Sequence, residues 1–303
     1  MHLKIGTRGS QLAVTQTKIY IEKLQNIAKK NNKNFSYEII KIKTKGDKIL
    51  NKPLYDIGGK ALFVKELENA LELGDIDLAI HSLKDIPGVV DQKFYIGGYI
   101  CRRYPYDCLI SKDAQQISQL KYGALVGTSS PRRKAFLHKL RPDLKINNLR
   151  GNINSRLAKF KEGLFDAIIL AEAGIRRCEL FDDNIMSPIS PKEIIPAVGQ
   201  GVLCAQVLSD NQDMVDFLQN VTDKIIEKQV LTERAFLAKV NADCDTPVAA
   251  YIDRQEDSNY LCSFMLSSSD FNQIEFLNFT QSNISEKDGE KIGDYLKAKL
   301  TVR

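Results

Sequence analysis

Tryptophan is absent from this 303-residue chain, histidine occurs three times, and no two cysteines are spaced as Cys-x-x-Cys. Each shortage excludes something. Without Trp, the chain lacks the strongest of the interleaved aromatics on which single-stranded nucleic acid stacks. The isolated His2, His81 and His138 offer no metal-binding cluster. The scattered Cys101, Cys108, Cys178, Cys204, Cys244 and Cys262 argue against a disulfide framework or a zinc site, and for a reducing compartment. No run of about 18 apolar residues occurs, so no membrane span is expected. The start, Met1 to Arg8, lacks the apolar stretch of an export signal, and a cytoplasmic protein is expected. Gly58-Gly59-Lys60-Ala61 lacks the upstream Gly and following Ser or Thr of a nucleotide phosphate loop.

What is present is an uneven distribution of arginine. Nine of the 13 arginines lie between Arg102 and Arg177, whereas the same stretch holds seven of the 30 lysines, about its share by length. A solvated basic face would not discriminate between the two. Arg grips carboxylate or phosphate with a planar fork, whereas Lys is a point charge. The segment therefore suits a ligand with many anionic oxygens. The net charge of +5 permits such a ligand but does not imply nucleic acid.

At this length two or three domains are expected. Strands alternate with helical periodicity over the first two-thirds, which predicts α/β lobes with largely parallel sheets. The first lobe reads as strand Leu3–Thr7, helix Gln11–Lys30, strand Phe35–Lys43, a loop or lid over Thr44–Lys60, helix Ala61–Leu73 and strand Asp77–Ser82. The pattern restarts with strand Leu125–Gly127, a helix after Ser130, strand Lys145–Leu149, helix Ile153–Glu162 and strand Ala167–Leu170. Tyr95–Arg103 and Pro196–Gly201 are candidate crossovers. From about Thr222 the pattern becomes α+β: a helix to Val240, a loop holding Cys244, three strands and a last helix near Glu286–Leu300. The expected division is 1–100 with 198–220, then 101–197, then 221–303.

Three constellations carry chemistry. Gly127-Thr128-Ser129-Ser130-Pro131-Arg132-Arg133 joins a strand end to a helix start, where free N–H groups and the helix dipole favour an anion. Leu149-Arg150-Gly151-Asn152 repeats the arrangement, and Arg8 with Ser10 occupies the same kind of position in the first lobe. A capped helix with an exposed basic turn would read alike. The second is His81-Ser82-Leu83-Lys84-Asp85-Ile86-Pro87. A lone carboxylate, Asp85, follows a strand end, where ligands of parallel sheets sit. It is either half of a turn's ion pair or the counterpart of a cationic substrate group. The third is Cys244 in Asp243-Cys244-Asp245-Thr246-Pro247. It is either a small buried hydrophobe or a functional thiol, and its acidic neighbours argue against a strongly activated thiolate.

In order along nearly the whole chain, these motifs resemble the porphobilinogen deaminase (hydroxymethylbilane synthase) family. The match runs through Ile5-Gly6-Thr7-Arg8-Gly9-Ser10, Gly58 to Glu68, His81 to Pro87, Gly127 to Arg133, Leu149 to Asn152, Ala173-Gly174, Pro196 to Gly201, Glu233 to Leu237 and Cys244-x-x-Pro247. The resemblance implies two lobes like type II periplasmic binding proteins, with a cleft between them, plus a smaller C-terminal α+β domain. It implies a transferase of tetrapyrrole (haem) biosynthesis that condenses four porphobilinogen molecules head to tail with loss of ammonia. It also implies a dipyrromethane cofactor joined through a thioether to Cys244, and a monomeric, cytoplasmic enzyme binding neither nucleic acid nor membrane.

By the same resemblance, Asp85 is the catalytic carboxylate. Arg8, Ser10, Lys84, Ser129, Arg132, Arg133, Arg150 and Arg156 hold the cofactor, with Ser130 assisting. Arg8, Lys60, Arg150, Arg156, Arg177 and Gln200 hold substrate. Arg141 and Arg102-Arg103 are left as surface or hinge residues. The chain departs from the family pattern at Asp56, commonly Lys, at Pro131, commonly Leu, and at Asp243, commonly Gly. A two-lobed binding protein for a small anion would share the fold and the arginines but leave Asp85 and Cys244 without a role.

Overall fold

The computed structural model describes residues 1–30, 32, 34–44, 64–241 and 246–301. The chain divides into two compact units, Met1–Arg103 with Gly201–Glu227, and Tyr104–Gln200 with Lys228–Arg303.

The first unit is built on a five-stranded sheet of order β2-β1-β3-β10-β4. Its strands are β1 (His2–Arg8), β2 (Ser36–Ile42), β3 (Leu78–Ser82), β4 (Phe94–Ile100) and β10 (Leu203–Leu208). β1 runs parallel to β2 and β3, whereas β10 runs antiparallel to β3 and β4. Alternation puts Leu3, Ile5, Leu78 and Ile80 on one face, where they pack with Tyr20, Ile21 and Leu24 of α1 (Gln11–Lys30) and with Met214 and Leu218. The other face receives Leu67, Ala70 and Leu71 of α2 (Lys65–Glu72). A sheet covered on both faces fixes its register by burial, and only the strand ends are left to meet a ligand.

The segment Tyr95–Arg103, expected as a crossover between lobes, does end at the boundary of the first unit, but as far as Ile100 it is also strand β4. Gly97-Gly98 lowers its local strand signal, but pairing with β10 overrides propensity. Gly98 sits at φ +60°, and a Cβ there would lie 1.9 Å from the Tyr20 hydroxyl oxygen. The Tyr20 hydroxyl itself donates to the Gly98 carbonyl at 2.8 Å.

The second unit repeats the sheet plan with order β7-β6-β8-β5-β9. These strands are β5 (Asp107–Ser111), β6 (Leu125–Gly127), β7 (Lys145–Asn147), β8 (Ala167–Ala171) and β9 (Met186–Pro188). In both sheets a parallel triplet is followed by one antiparallel strand and an edge. The helices are α3 (Pro131–Leu140), α4 (Ile153–Lys161) and α5 (Glu172–Arg177).

The same unit holds the smaller antiparallel sheet β11 (Val248–Arg254), β12 (Tyr260–Ser267) and β13 (Ile274–Gln281). One face contributes Ala249, Tyr251 and Met265 to the core around Phe136 and Val126. The opposite face packs Ala250, Ile252 and Phe264 against Phe236 and Leu237 of the helix Lys224–Lys239 and Leu296 of the helix Glu286–Thr301. Two α/β lobes and a smaller α+β element are thus present, as expected. Among the described residues no helix is long and apolar enough to cross a membrane.

Candidate active site

In the first unit, the carboxyl ends of β1 and β3 lie side by side because Ile5 and Gly6 pair in parallel with Leu78 and Ala79. Arg8 ends β1. Ser10 follows, and its hydroxyl oxygen accepts the Ala13 N–H at 3.3 Å at the start of α1. Ser82 ends β3 and is held by Gln16, whose Nε2 donates to the Ser82 Oγ at 2.8 Å. Leu83–Asp85 then forms one tight 3-10 turn. Buried Leu83 and Ile86 anchor this turn, and the Leu83 N–H donates to the Val202 carbonyl at 3.0 Å. Lys84 and Asp85 between them are half-buried.

His81 faces the same end. Burial is the main cause that drives its imidazole pKa down, to about 4; Gln206 and the Asp85 charge act upward, and the Arg8 charge acts downward. A neutral imidazole therefore stands close enough to both Asp85 and Arg8 to feel their charges.

In the second unit, the ends of β6 and β7 feed the starts of α3 and α4. Ser130 caps α3, its Oγ accepting the Arg133 N–H at 3.4 Å, with Pro131 in the first turn. Asn152 caps α4 by accepting the Ser155 N–H at 2.9 Å. The Ser129 hydroxyl donates to the Leu149 carbonyl at 3.0 Å and so ties the two loops together. Arg150 and Arg156 are half-buried beside them; Arg156 Nε donates to the Gly151 carbonyl at 2.7 Å. Two helix starts, two hydroxyls and two guanidiniums are thus gathered at neighbouring strand ends.

The sequence suggested Arg132 and Arg133 as open forks, but both are buried at 6% exposure. Arg132 donates to both oxygens of Asp107, at 2.8 and 3.2 Å, and to the Ile195 carbonyl at 2.7 Å. Arg133 donates to Asp107 at 2.8 Å and to the Ile169 carbonyl at 2.7 Å. Gln200 joins the same carboxylate through Nε2 at 3.1 Å, and also donates to the Pro105 carbonyl at 2.8 Å. Burial opposes the charge on Asp107, but the charges and hydrogen bonds of the two guanidiniums outweigh it and hold the carboxyl below its usual range. Arg133 Nε is buried without a hydrogen-bond partner among the described residues.

Other arginines have structural work. Arg141 clamps Asp143 and the Ile117 and Ser118 carbonyls. Arg176 binds Glu172 at 2.6 Å and lies between the rings of Phe181 and Tyr104. Arg177 is half-buried at the end of α5. Lys60, Cys244, Asp56 and Asp243 lie outside the described residues. Sequence reasoning missed Asp107, Gln16 and Gln206. A buried acid among apolar strand residues, in Tyr106-Asp107-Cys108-Leu109-Ile110, was the available signal for the first.

Fold and site define an α/β protein whose lobes each present cations and hydroxyls at strand carboxyl ends, one of them with an added carboxylate. A family model described as "Porphobilinogen deaminase, dipyromethane cofactor binding domain" matches residues 3–216. Porphobilinogen deaminase of Rickettsia prowazekii is 41% identical over 300 residues, 99% of this chain and 98% of that one. The Bacillus pumilus protein of the same name is 41% identical, over 96% of this chain and 91% of its own. That of Bacillus subtilis is 44% identical, over 82% and 78%. The chain belongs to the porphobilinogen deaminase family. Among solved structures it is similar to substrate-binding domain 2 of Lactococcus lactis GlnP, at 16% identity and a TM-score of 0.46 over 73% of this chain and 87% of that one.

Proposed function

We propose that this chain is a hydroxymethylbilane synthase: it joins four porphobilinogen molecules head to tail, releasing one ammonia for each, and then frees hydroxymethylbilane by hydrolysis. The observation that supports the reading is one half-buried carboxylate, Asp85, next to Lys84 in the turn that follows β3, whose carboxyl end lies alongside that of β1, where Arg8 stands. Porphobilinogen carries an acetate and a propionate, which suit the cations. It also carries a pyrrole N–H and an aminomethyl group, which suit the acid.

In the first step the C–N bond of the substrate's protonated aminomethyl group breaks, and the electron pair leaves with ammonia. The positive charge passes to the pyrrole ring as an azafulvene cation. Asp85 accepts the pyrrole N–H and opposes the charge that develops there. Arg8 and Lys84 hold side-chain carboxylates so that the cationic carbon is presented in one orientation. The cycle repeats on a product that gains carboxylates at each turn, which gives the repeated donor sets at the ends of β6 and β7 a use.

The donor set fits a dipyrromethane, itself a polycarboxylate: Ser129, Ser130, Arg150, Arg156 and the Nε of Arg133 would hold it, with Arg8, Ser10 and Lys84. When bound, this group supplies the carbon nucleophile and the tether for the growing chain. Cys244 would carry it as a thioether, and Lys60, Arg177 and Gln200 would meet substrate. Arg132 acts through Asp107. On the same reading the enzyme is a cytoplasmic monomer whose chain divides at 1–100 with 198–220, 101–197 and 221–303.

Intact mass of the purified protein tests the reading. An excess over the polypeptide equal to two linked pyrroles, absent in Cys244→Ser, is expected. A bare polypeptide mass that persists after incubation with porphobilinogen, with no pyrrole colour reaction, overturns it.

A further inference from the structure

The loop between β7 and α4 is fastened by side chains along its length. Four consecutive carbonyls, those of Leu149, Arg150, Gly151 and Asn152, each accept from one. The donors are Ser129 Oγ at 3.0 Å, Lys159 Nζ at 3.2 Å, Arg156 Nε at 2.7 Å and Ser155 Oγ at 3.0 Å. The loop also lies close against the first turn of α4. Gly151 sits at φ +114°, and a Cβ there would stand 2.2 Å from Ser155 Oγ.

Ser129 and Arg156 already belong to the donor set proposed for the cofactor, and Ser155 is part of the cap of α4. Lys159 is the member without a role. It stands in the last turn of α4, where a cation is ordinarily drawn to the helix's final carbonyls and to water. Lys161, in the same turn, is exposed. Lys159 is instead half-buried, and its side chain runs back along the helix to a carbonyl nine residues earlier. That gives up rotamer freedom which a solvated lysine keeps. The carbonyl it takes belongs to Arg150, whose guanidinium is one of the forks proposed to hold pyrrole carboxylates. Fixing that peptide fixes the direction in which the Arg150 side chain leaves the backbone. A planar fork grips a carboxylate with two bonds only when it is correctly aimed, whereas a point charge is far less sensitive to aim.

We infer that Lys159 is a positioning residue for Arg150: by holding the Arg150 carbonyl it aims the guanidinium at an acetate or propionate group of the ligand. This rests on the reading of Arg150 as a holder of ligand carboxylates. Lys159 acts through Arg150 and not by its own contact with the ligand.

The test follows the two-pyrrole mass increment as full-chain apoprotein is incubated with porphobilinogen. Lys159→Met keeps an unbranched side chain but loses the donor, and Lys159→Arg keeps a donor long enough to reach the carbonyl. Lys159→Met is expected to melt normally and to acquire the increment about tenfold more slowly than wild type, with Lys159→Arg within about threefold of wild type. Arg150→Lys replaces the fork with a point charge, so adding Lys159→Met to it should slow acquisition by less than about a further twofold. A wild-type rate in Lys159→Met overturns the inference, as does a full tenfold loss on top of Arg150→Lys. Early melting of Lys159→Met also overturns it, because the contact then belongs to the fold. Wild-type protein that neither gains pyrrole mass nor condenses porphobilinogen would instead overturn the functional reading.

Discussion

Asp107 takes both amino groups of Arg132, Nη1 to Oδ2 at 2.8 Å and Nη2 to Oδ1 at 3.2 Å, while sharing Oδ1 with Arg133 at 2.8 Å. All three side chains are buried. Removing the acid leaves two guanidiniums in a dry site without a counter-charge. Breaking a buried pair from one side costs about 3–5 kcal/mol. Asp107→Ala should therefore shift the urea midpoint strongly at constant slope. A change below about 1 kcal/mol would show that the cluster is relaxed by water.

The same cluster sets an acid limit. The Asp107 carboxyl is depressed below its usual range because the arginines outweigh the cost of burial. A depressed acid contributes stability that is present above its unfolded pKa, about 4, and is lost as pH falls toward the folded value. Wild type and Asp107→Asn should differ most near neutral pH, with the gap narrowing steadily as pH falls below about 4. Denaturant titrations at several pH values check this, and a constant gap down to about pH 2 would contradict it.

Asp85 makes a contrasting case, since it is half-buried in a turn whose anchors are Leu83 and Ile86. Asp85→Ala should change stability by no more than about 0.5 kcal/mol. Turnover should fall by about 10²–10⁴, the usual share of a positioned acid or base. The cofactor mass should stay. Near-normal kcat would remove Asp85 from the mechanism.

How far the sequence could be read depended on whether a signal was local. α1 over Gln11–Lys30 and the strand ends at Gly6-Thr7 and Gly127-Thr128 were legible because periodicity and caps are written in adjacent residues. Neither β10 nor β4 was read as a strand, although the segment holding β4 does end where the first unit ends. Each finds its partner about a hundred residues away, so the pairing that stabilises it leaves no local mark. In the site, the arginine excess was legible but its use was not. Whether a guanidinium faces a ligand or Asp107 depends on burial, and Ser130-Pro131-Arg132-Arg133 reads the same in both cases.

The helix Glu286–Thr301 lies against the helix Lys224–Lys239 through two glycines one turn apart. A Cβ on Gly289 would stand 2.2 Å from the Thr232 carbonyl oxygen, which is backbone and cannot move aside. On Gly293 it would meet Lys239 Cβ and Cγ at 2.8 Å, and the Cβ is fixed to the helix backbone. Gly289→Ala should thus cost about 1–3 kcal/mol in spite of its better helix propensity. Gly293→Ala should also destabilise, but less, because its contacts at 2.8 Å are longer than the 2.2 Å approach at Gly289. Thermal melting of the two variants side by side decides the matter, and equal midpoints would mean the helices separate freely.

Arg150 and Arg156 should part from Arg132 in what they disturb. Arg132 is spent on Asp107 and the Ile195 carbonyl, so Arg132→Ala should unfold at lower denaturant by an amount like that of Asp107→Ala, and the two losses should be far from additive. Arg150, just before the cap of α4, and Arg156, within α4, are half-buried, and each alanine variant should keep stability within about 1 kcal/mol. Their loss removes a charge-assisted donor for a carboxylate, worth about 1.5–3 kcal/mol. The expected phenotype is slow acquisition of the two-pyrrole mass increment, or stalling at intermediate masses during turnover, in protein that melts normally. Mass spectra during turnover, taken with melts of the same samples, separate ligand-holding arginines from structural ones. If Arg150→Ala and Arg156→Ala melt early and elongate normally, the donor set at the ends of β6 and β7 belongs to the fold instead.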